Sequence, residues 1–374
     1  MEKPLLDIYT NGWGVNEERM FRIPDHELAG LKNWEDSIKG RVIQVLEEDK
    51  GLKVVTEEGD YYRLTPSTPS LSVGGNTWNT AMAIYRVLDA CKPELIPRVP
   101  LYVHNGSQIA AISSGLMIRG LDKVPVWFTP GVSEARMRVS TVLKDSNGGE
   151  PFYASQDPHP VETGQIPEGK ALFLSSGGPD INEEILAYLE RNSGAKVYLA
   201  PGSKQVARGI PSEVLRRLHM LSCNAREAFQ LASHLRESAV CGWTTVDSLN
   251  CFRDCGVPEV RITDGENGVF AYSEGEPHRA KNIRRDNPHL QEILDLLKQR
   301  GVSNENTRNY ADRNGLGDTR LGSDLAAELL GEDLIDRLDF AALIATLHTY
   351  NPEPNIANFP NEVIQLARGL RDQL

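Results

Sequence analysis

Cysteine is scarce in this chain and positive charge is in deficit. Five cysteines among 374 residues are an odd set, so no disulfide framework can use them all. Cys241, Cys251 and Cys255 cluster, but at spacings of ten and four, without C-x-x-C or a Cys/His pair, which argues against zinc. Reduced thiols in a cytoplasmic protein are the simpler reading. Lys and Arg number 40 against 52 Asp and Glu, a formal net charge of −12, which argues against nucleic acid and membrane surfaces as partners. An acidic body can still hold a small cationic pocket. No apolar run nears the roughly 18 residues of a membrane-spanning helix, and the start, MEKPLLDIYTNGWG, has no apolar core for a secretory signal. Asn-Gly-Ser at 105–107 then means nothing as a glycosylation site. Also missing are a G-x-x-x-x-G-K-[ST] phosphate loop, a G-x-S-x-G nucleophile elbow and histidines paired at metal spacing. His219, near Cys223, reads as a packing residue.

What is present is an ordinary folded composition, 40% hydrophobic and 25% charged. The length exceeds the common single-domain range of about 100–200 residues but suits one large α/β domain over 1–374. The first 70 residues read mostly as short strands and turns. GRVIQVL, GLKVVTEE and DYYRLTP (40–46, 51–58 and 60–66) alternate apolar and polar residues between turn signals, as in an antiparallel meander with one wet face. From about residue 74, strand-like runs alternate with helical spacing. That rhythm predicts βαβ crossovers and a largely parallel sheet covered on both sides. Ligands bind outside the carboxyl ends of such strands. NPHLQEILDLLKQRG (287–301) reads as an inserted amphipathic helix at the surface or a partner contact.

Four stretches carry chemistry. ADRNGLGDTRLGSDLAAELL (311–330) sets Gly315, Leu316, Gly317 and Asp318 before a helix. A helix N-terminus offers unpaired N–H groups and partial positive charge, and glycines let an anion approach the backbone. Such a nest suits a phosphoryl group in transfer, with Asp318 beside it to take a proton. A plain N-cap and turn fit the same letters. VRITDGENGVF (260–270) runs a strand into Thr263-x-Gly265-x-x-Gly268, either a nucleotide-wrapping loop or a hairpin turn. In LSCNAREAF (221–229), Asn224 and Glu227 share one helical face. They suit magnesium held through waters, or a capping box. SVGGNTWNTAMAI (72–84) places Gly74 and Gly75 before Asn79, where a polyol or ring could approach, or where a helix is merely capped.

In this order, the four stretches resemble the ribokinase-like (PfkB) carbohydrate and nucleoside kinases. The resemblance covers roughly 70–350 and rests on Gly74-Gly75…Asn79-x-Ala81, Asn224…Glu227, Thr263-x-Gly265-x-x-Gly268 and Gly315-Leu316-Gly317-Asp318. It implies a three-layer α/β/α sandwich with a mostly parallel sheet and a small β-sheet lid, formed mainly by strands within about 15–70. It implies Asp318 as general base and the amides of Gly315 to Asp318 as anion hole. Asn224 and Glu227 would organise Mg²⁺, and Asn224, Thr263, Gly265 and Gly268 would serve the nucleotide. ATP is the expected donor. Gly-Leu-Gly-Asp-Thr also resembles the related ADP-dependent sugar kinases, which keeps ADP open. The acceptor would be a sugar or nucleoside, and an exposed lid edge suits a homodimer.

The chain also departs from the pattern. Where the family ends Asp-Thr-x-Gly-Ala-Gly-Asp-Ala-Phe, this chain has Arg313 and Arg320, which change nucleotide contacts or sit on the surface. Where the family's early strand brings an Asp to the substrate hydroxyls, it offers Asn16 and Glu17. Arg136 and Arg138 alternate as on a strand and suit a phosphorylated substrate or a solvated face. These departures also suit a catalytically silent relative that binds a nucleotide or metabolite and works through protein partners.

Overall fold

The computed structural model describes residues 3–10, 16–37, 42–48, 51–56, 58–65, 70–103, 106–129, 138–144, 152–156, 166–175, 181–236, 242–273, 275–280, 283, 287–302, 315–351 and 355–371. The first half runs β1 (Asp7–Tyr9), β2 (Asn16–Arg22), α1 (Asp25–Ser37), β3 (Val42–Glu48), β4 (Gly51–Thr56), β5 (Tyr61–Leu64), β6 (Ser70–Gly74), α2 (Asn76–Cys91), β7 (Leu101–Val103), α3 (Gly106–Ile118), β8 (Val126–Phe128), β9 (Arg138–Lys144) and β10 (Phe152–Gln156). The second runs β11 (Ala171–Ser175), α4 (Ile181–Arg191), β12 (Lys196–Ala200), α5 (Ser203–Arg208), α6 (Ser212–Arg217), β13 (Met220–Asn224), α7 (Ala225–Arg236), α8 (Thr245–Asp254), β14 (Glu259–Thr263), β15 (Val269–Ser273), β16 (Glu276–Ala280), α9 (Pro288–Gln299), α10 (Leu316–Leu329), α11 (Leu334–His348) and α12 (Asn361–Leu370).

The central sheet has nine strands in the order β16-β15-β14-β13-β12-β11-β1-β7-β8. From β14 to β8 every neighbouring pair is parallel, and β15 and β16 extend the sheet as antiparallel strands. Strand β11, ALFLS, is buried at every position, as a parallel strand covered on both faces must be. Alternate residues feed two cores. Ile8, Phe173, Tyr198 and Met220 join side chains of α2, α10, α11 and α12. Leu172, Leu174, Val197, Leu199, Leu221 and Ile262 join those of α4, α6, α7 and α8. The result is a three-layer α/β/α sandwich.

Two smaller sheets complete the fold, β10-β9-β2-β6 and β3-β4-β5. The meander expected over 40–66 is the antiparallel β3-β4-β5. In the other sheet β2 pairs antiparallel with β6 and parallel with β9, so β9 and β10 bring residues 138–156 beside the N-terminal strands. A helix, α1, stands within a stretch that the sequence suggests is mostly strands and turns. Among its described side chains Leu28 and Leu31 are the buried ones, and they close a small core with Phe21, Ile23, Val45, Val54, Leu64 and Leu143. Two apolar positions three apart are a weak helical signal until the partner strands are known.

The helix expected at 287–301 is α9. Its N-cap is Asn287, whose side chain accepts from the His289 and Leu290 N–H groups. Leu290, Ile293, Leu294 and Leu297 are buried in the first core with Val363 and Ile364 of α12, so its apolar face is covered within the chain.

Candidate active site

Parallel strands present their carboxyl ends along one edge, and the four motifs gather there. Residues Asn224 and Thr263 close β13 and β14 and are register partners across that pair. Thr263 and Ser222 line a small cavity together with Gly317, Arg320 and Asp324 of α10. The Thr77 hydroxyl donates to the Ser175 carbonyl at 3.4 Å, which fixes the first turn of α2 at the end of β11.

Each motif has its own local cause. Gly315 adopts the left-handed conformation, φ 75°, and its carbonyl accepts from the Thr319 N–H at 2.7 Å to open α10. The early amides of a helix lack intrahelical acceptors, and Leu316, Gly317 and Asp318 supply the first three of α10. Gly317 is exposed, has no positive φ, and a Cβ there would meet nothing within 4 Å. Neither packing nor backbone conformation asks for glycine at 317. Asp318 sits half-buried in the first turn.

The Thr263 loop is a tight hairpin between antiparallel β14 and β15. Gly265 and Gly268 both have positive φ, 48° and 89°, around a short 3-10 turn. Asp264 anchors it: its N–H donates to the Gly268 carbonyl at 2.9 Å, and its Oδ2 accepts from Thr245 Oγ1 at 2.6 Å. Asn224 and Glu227 cap each other. The Asn224 N–H donates to Glu227 Oε2 and the Glu227 N–H to Asn224 Oδ1, both at 2.9 Å. Burial pushes the Glu227 carboxyl up, and the bonds from Asn224 oppose that rise. Among the described residues no group of three or more His, Cys, Asp or Glu is arranged to hold a metal ion.

Gly75, at φ 101°, is the cap between β6 and α2. Asn79 is 2% exposed, and its Oδ1 accepts from Asn355 Nδ2 at 3.4 Å. That bond joins a segment sequence reasoning missed. Asn351 donates to the Asn355 carbonyl and to Asn358 Oδ1, both at 2.8 Å, and Asn358 donates back to Asn351 Oδ1 at 3.1 Å. Arg86 of α2 holds the same turn through the Ala357 carbonyl. The available signal was four asparagines within 351–361.

Residues Asn16 and Glu17 lie on β2, opposite Gly74 and Val73 of β6, and Arg138 of β9 pairs with Asn16 on the other side. The register thus brings the early segment to the Gly-Gly segment. Arg320 is buried, 8% exposed, so the surface reading of that arginine does not hold: its side chain lies between α10 and the sheet. Arg313, Arg136 and Cys241 lie outside the described residues. Cys91, Cys223, Cys251 and Cys255 are free thiols.

No protein-family model matches the chain, and no curated protein matches it in sequence. Solved structures match it by fold. Ribokinase from Thermotoga maritima superposes with a TM-score of 0.62 at 14% identity, over 97% of this chain and 99% of that one. Arabidopsis thaliana ribokinase, solved with ribose and ATP, gives 0.61 at 17% over 98% and 99%. A Burkholderia thailandensis nucleoside kinase with inosine gives 0.60 at 13% over 99% of both chains. The chain has the ribokinase-like fold, the fold of these sugar and nucleoside kinases.

Proposed function

We propose that this chain is a small-molecule kinase that moves the terminal phosphoryl group of a nucleotide to a hydroxyl of a sugar or nucleoside. The observation that carries the reading is Gly317. A glycine inside a helix costs roughly 1 kcal/mol relative to alanine, and here neither contact nor conformation requires it. The open space before it, at the amide end of α10, is where a phosphoryl group would rest. The ATP and ADP found with ribokinases of this fold support a nucleotide as donor.

In this reading Asp318 accepts the proton of the acceptor hydroxyl as its oxygen bonds to phosphorus and the bridging P–O bond to the donor breaks. The amides of Gly315 to Asp318 hold the charge spread over the phosphoryl oxygens. The loop of Thr263, Gly265 and Gly268 supports the nucleotide. Residues Asn16, Glu17, Gly74, Gly75 and Asn79 lie on the acceptor side, with Asn79 oriented by Asn355. Magnesium, when bound, would offset the negative charge of the donor phosphates. Glu227 commits Oε2 to the cap, and its second oxygen with Asn224 suits an ion that keeps most of its waters.

A mass-spectrometric screen tests the reading. The protein with Mg²⁺ and either ATP or ADP is incubated with pooled sugars, sugar phosphates and nucleosides, with Asp318→Asn alongside. One acceptor gaining a phosphoryl group with wild type alone is the expected result. Nucleotide binding with no product from any pool would favour the silent binder.

A further inference from the structure

Three arginines are buried between α10, α11 and the sheet, and they are not treated alike. Arg261 is held by Asp324 at 3.0 Å and Glu259 at 2.8 Å. Arg337 is held by the other oxygen of Asp324 at 2.7 Å and by Glu328 at 2.8 Å. Both oxygens of Asp324 are therefore taken. Arg320 has neither arrangement: among the described residues it forms no ion pair, and although the buried Nη2 atoms of Arg320 and Arg337 both lack a hydrogen-bond partner, only that of Arg337 has a carboxylate beside it. An arginine so placed is costly. Burial draws its pKa down to about 10, with Asp324 and Asp339 opposing the fall from further away.

Position 320 is also where the resembled pattern has phenylalanine, a residue that would fill buried space at no charge. Helical spacing puts Gly317, Arg320, Leu321 and Asp324 on one face of α10, and all four line the cavity with Ser222, Arg261 and Thr263. Helical side chains slant toward the N-terminus, so Arg320 lies over the turn that carries Gly317. The cavity, about 10 Å³, is the size that holds one water.

We propose that Arg320 is a phosphate-binding residue particular to this chain, reaching through one water in this cavity the donor phosphate that rests on the first amides of α10. The inference rests on the kinase reading for its site and adds to it a cationic floor beneath the nest. Before ligand arrives, the charge is a burden on the fold that Asp324 and Asp339 offset only in part. With a polyphosphate on the amides, the burden becomes attraction. A bridged contact to a charged group is worth about tenfold or more in affinity.

The test uses Arg320→Met in the full chain, with calorimetric titration of ATP, inorganic tripolyphosphate and adenosine, and thermal unfolding of the free protein. We expect the variant to bind ATP and tripolyphosphate about tenfold more weakly or worse, to bind adenosine as wild type does, and to melt no lower than wild type. Equal binding of tripolyphosphate by variant and wild type would overturn the proposal, as would failure of wild type to bind either polyphosphate. Should Arg320→Met not fold, Arg320→Gln decides by the same comparison. Loss of folding in both would mark a structural arginine and overturn the proposal as well. The two readings fail separately. Wild-type turnover with an unaffected variant sinks only Arg320, while polyphosphate binding weakened in the variant without any turnover sinks only the kinase.

Discussion

Gly322 of α10 faces the Thr80 carbonyl of α2 so closely that a Cβ at 322 would stand 2.4 Å from that oxygen and 2.6 Å from Ala83 Cβ. The third glycine of the 311–330 stretch therefore belongs to packing, whereas the first shapes the turn. Gly322→Ala must push two helices apart at the level of the candidate site. We expect a loss of about 1–3 kcal/mol, measured by urea denaturation. A variant as stable as wild type would mean the helices separate freely.

Gly317→Ala is expected to do the opposite to stability. With nothing within 4 Å of the added methyl, the free protein should gain up to about 1 kcal/mol from helix propensity. Turnover should fall by about tenfold to a hundredfold, because the methyl displaces the phosphoryl group from the amides. Stabilised protein with unchanged turnover would remove the main support for the proposed function.

Asp318→Asn keeps the shape of the site and removes the proposed base. Turnover should drop by about 10²–10⁴, while calorimetry should find nucleotide affinity close to wild type. A ligand-binding protein whose behaviour is indifferent to this change would be the silent relative.

Asp7 provides a pH signature in stability. It is 1% exposed at the start of β1, and neither carboxyl oxygen, both buried, has a geometrically sound hydrogen-bond partner among the described residues. Burial lifts its pKa to about 7; Tyr102 lies near enough to temper the rise. The folded state thus holds a proton that the unfolded state has released, so this contribution is complete below about pH 4 and declines as pH rises toward 7. The amount is on the order of a few kcal/mol. Asp7→Asn should be the more stable protein at pH 8 and should flatten the stability profile between pH 4 and 7. An unchanged slope in denaturation series would exclude Asp7 as its source.

The alternation of strand and helix after residue 74 was readable because buried parallel strands such as ALFLS and amphipathic helices such as α9 differ in period. The capping geometry of Asn224 and Glu227 was equally readable, being local. What resisted reading depends on distance in the chain. The burial of Arg320 is decided by where β13 and β14 lie under α10. The pairing of Asn16 with Gly74 is set by the register of β2 on β6, and the tie between Asn79 and Asn355 spans most of the chain. Helix α1 was missed because two leucines say little before the strands they cover are placed.

Strand β6 passes into α2 with a single residue, Gly75, between them. The small sheet is therefore joined rigidly to the helix of the proposed acceptor side rather than hung beside it as a flap. Because β2 pairs with both β9 and β6, a tilt of that sheet would reach the first turn of α2 through β6. The Thr77–Ser175 bond ties that first turn to the sandwich at the end of β11, and Asn79 stands only two residues further along the helix.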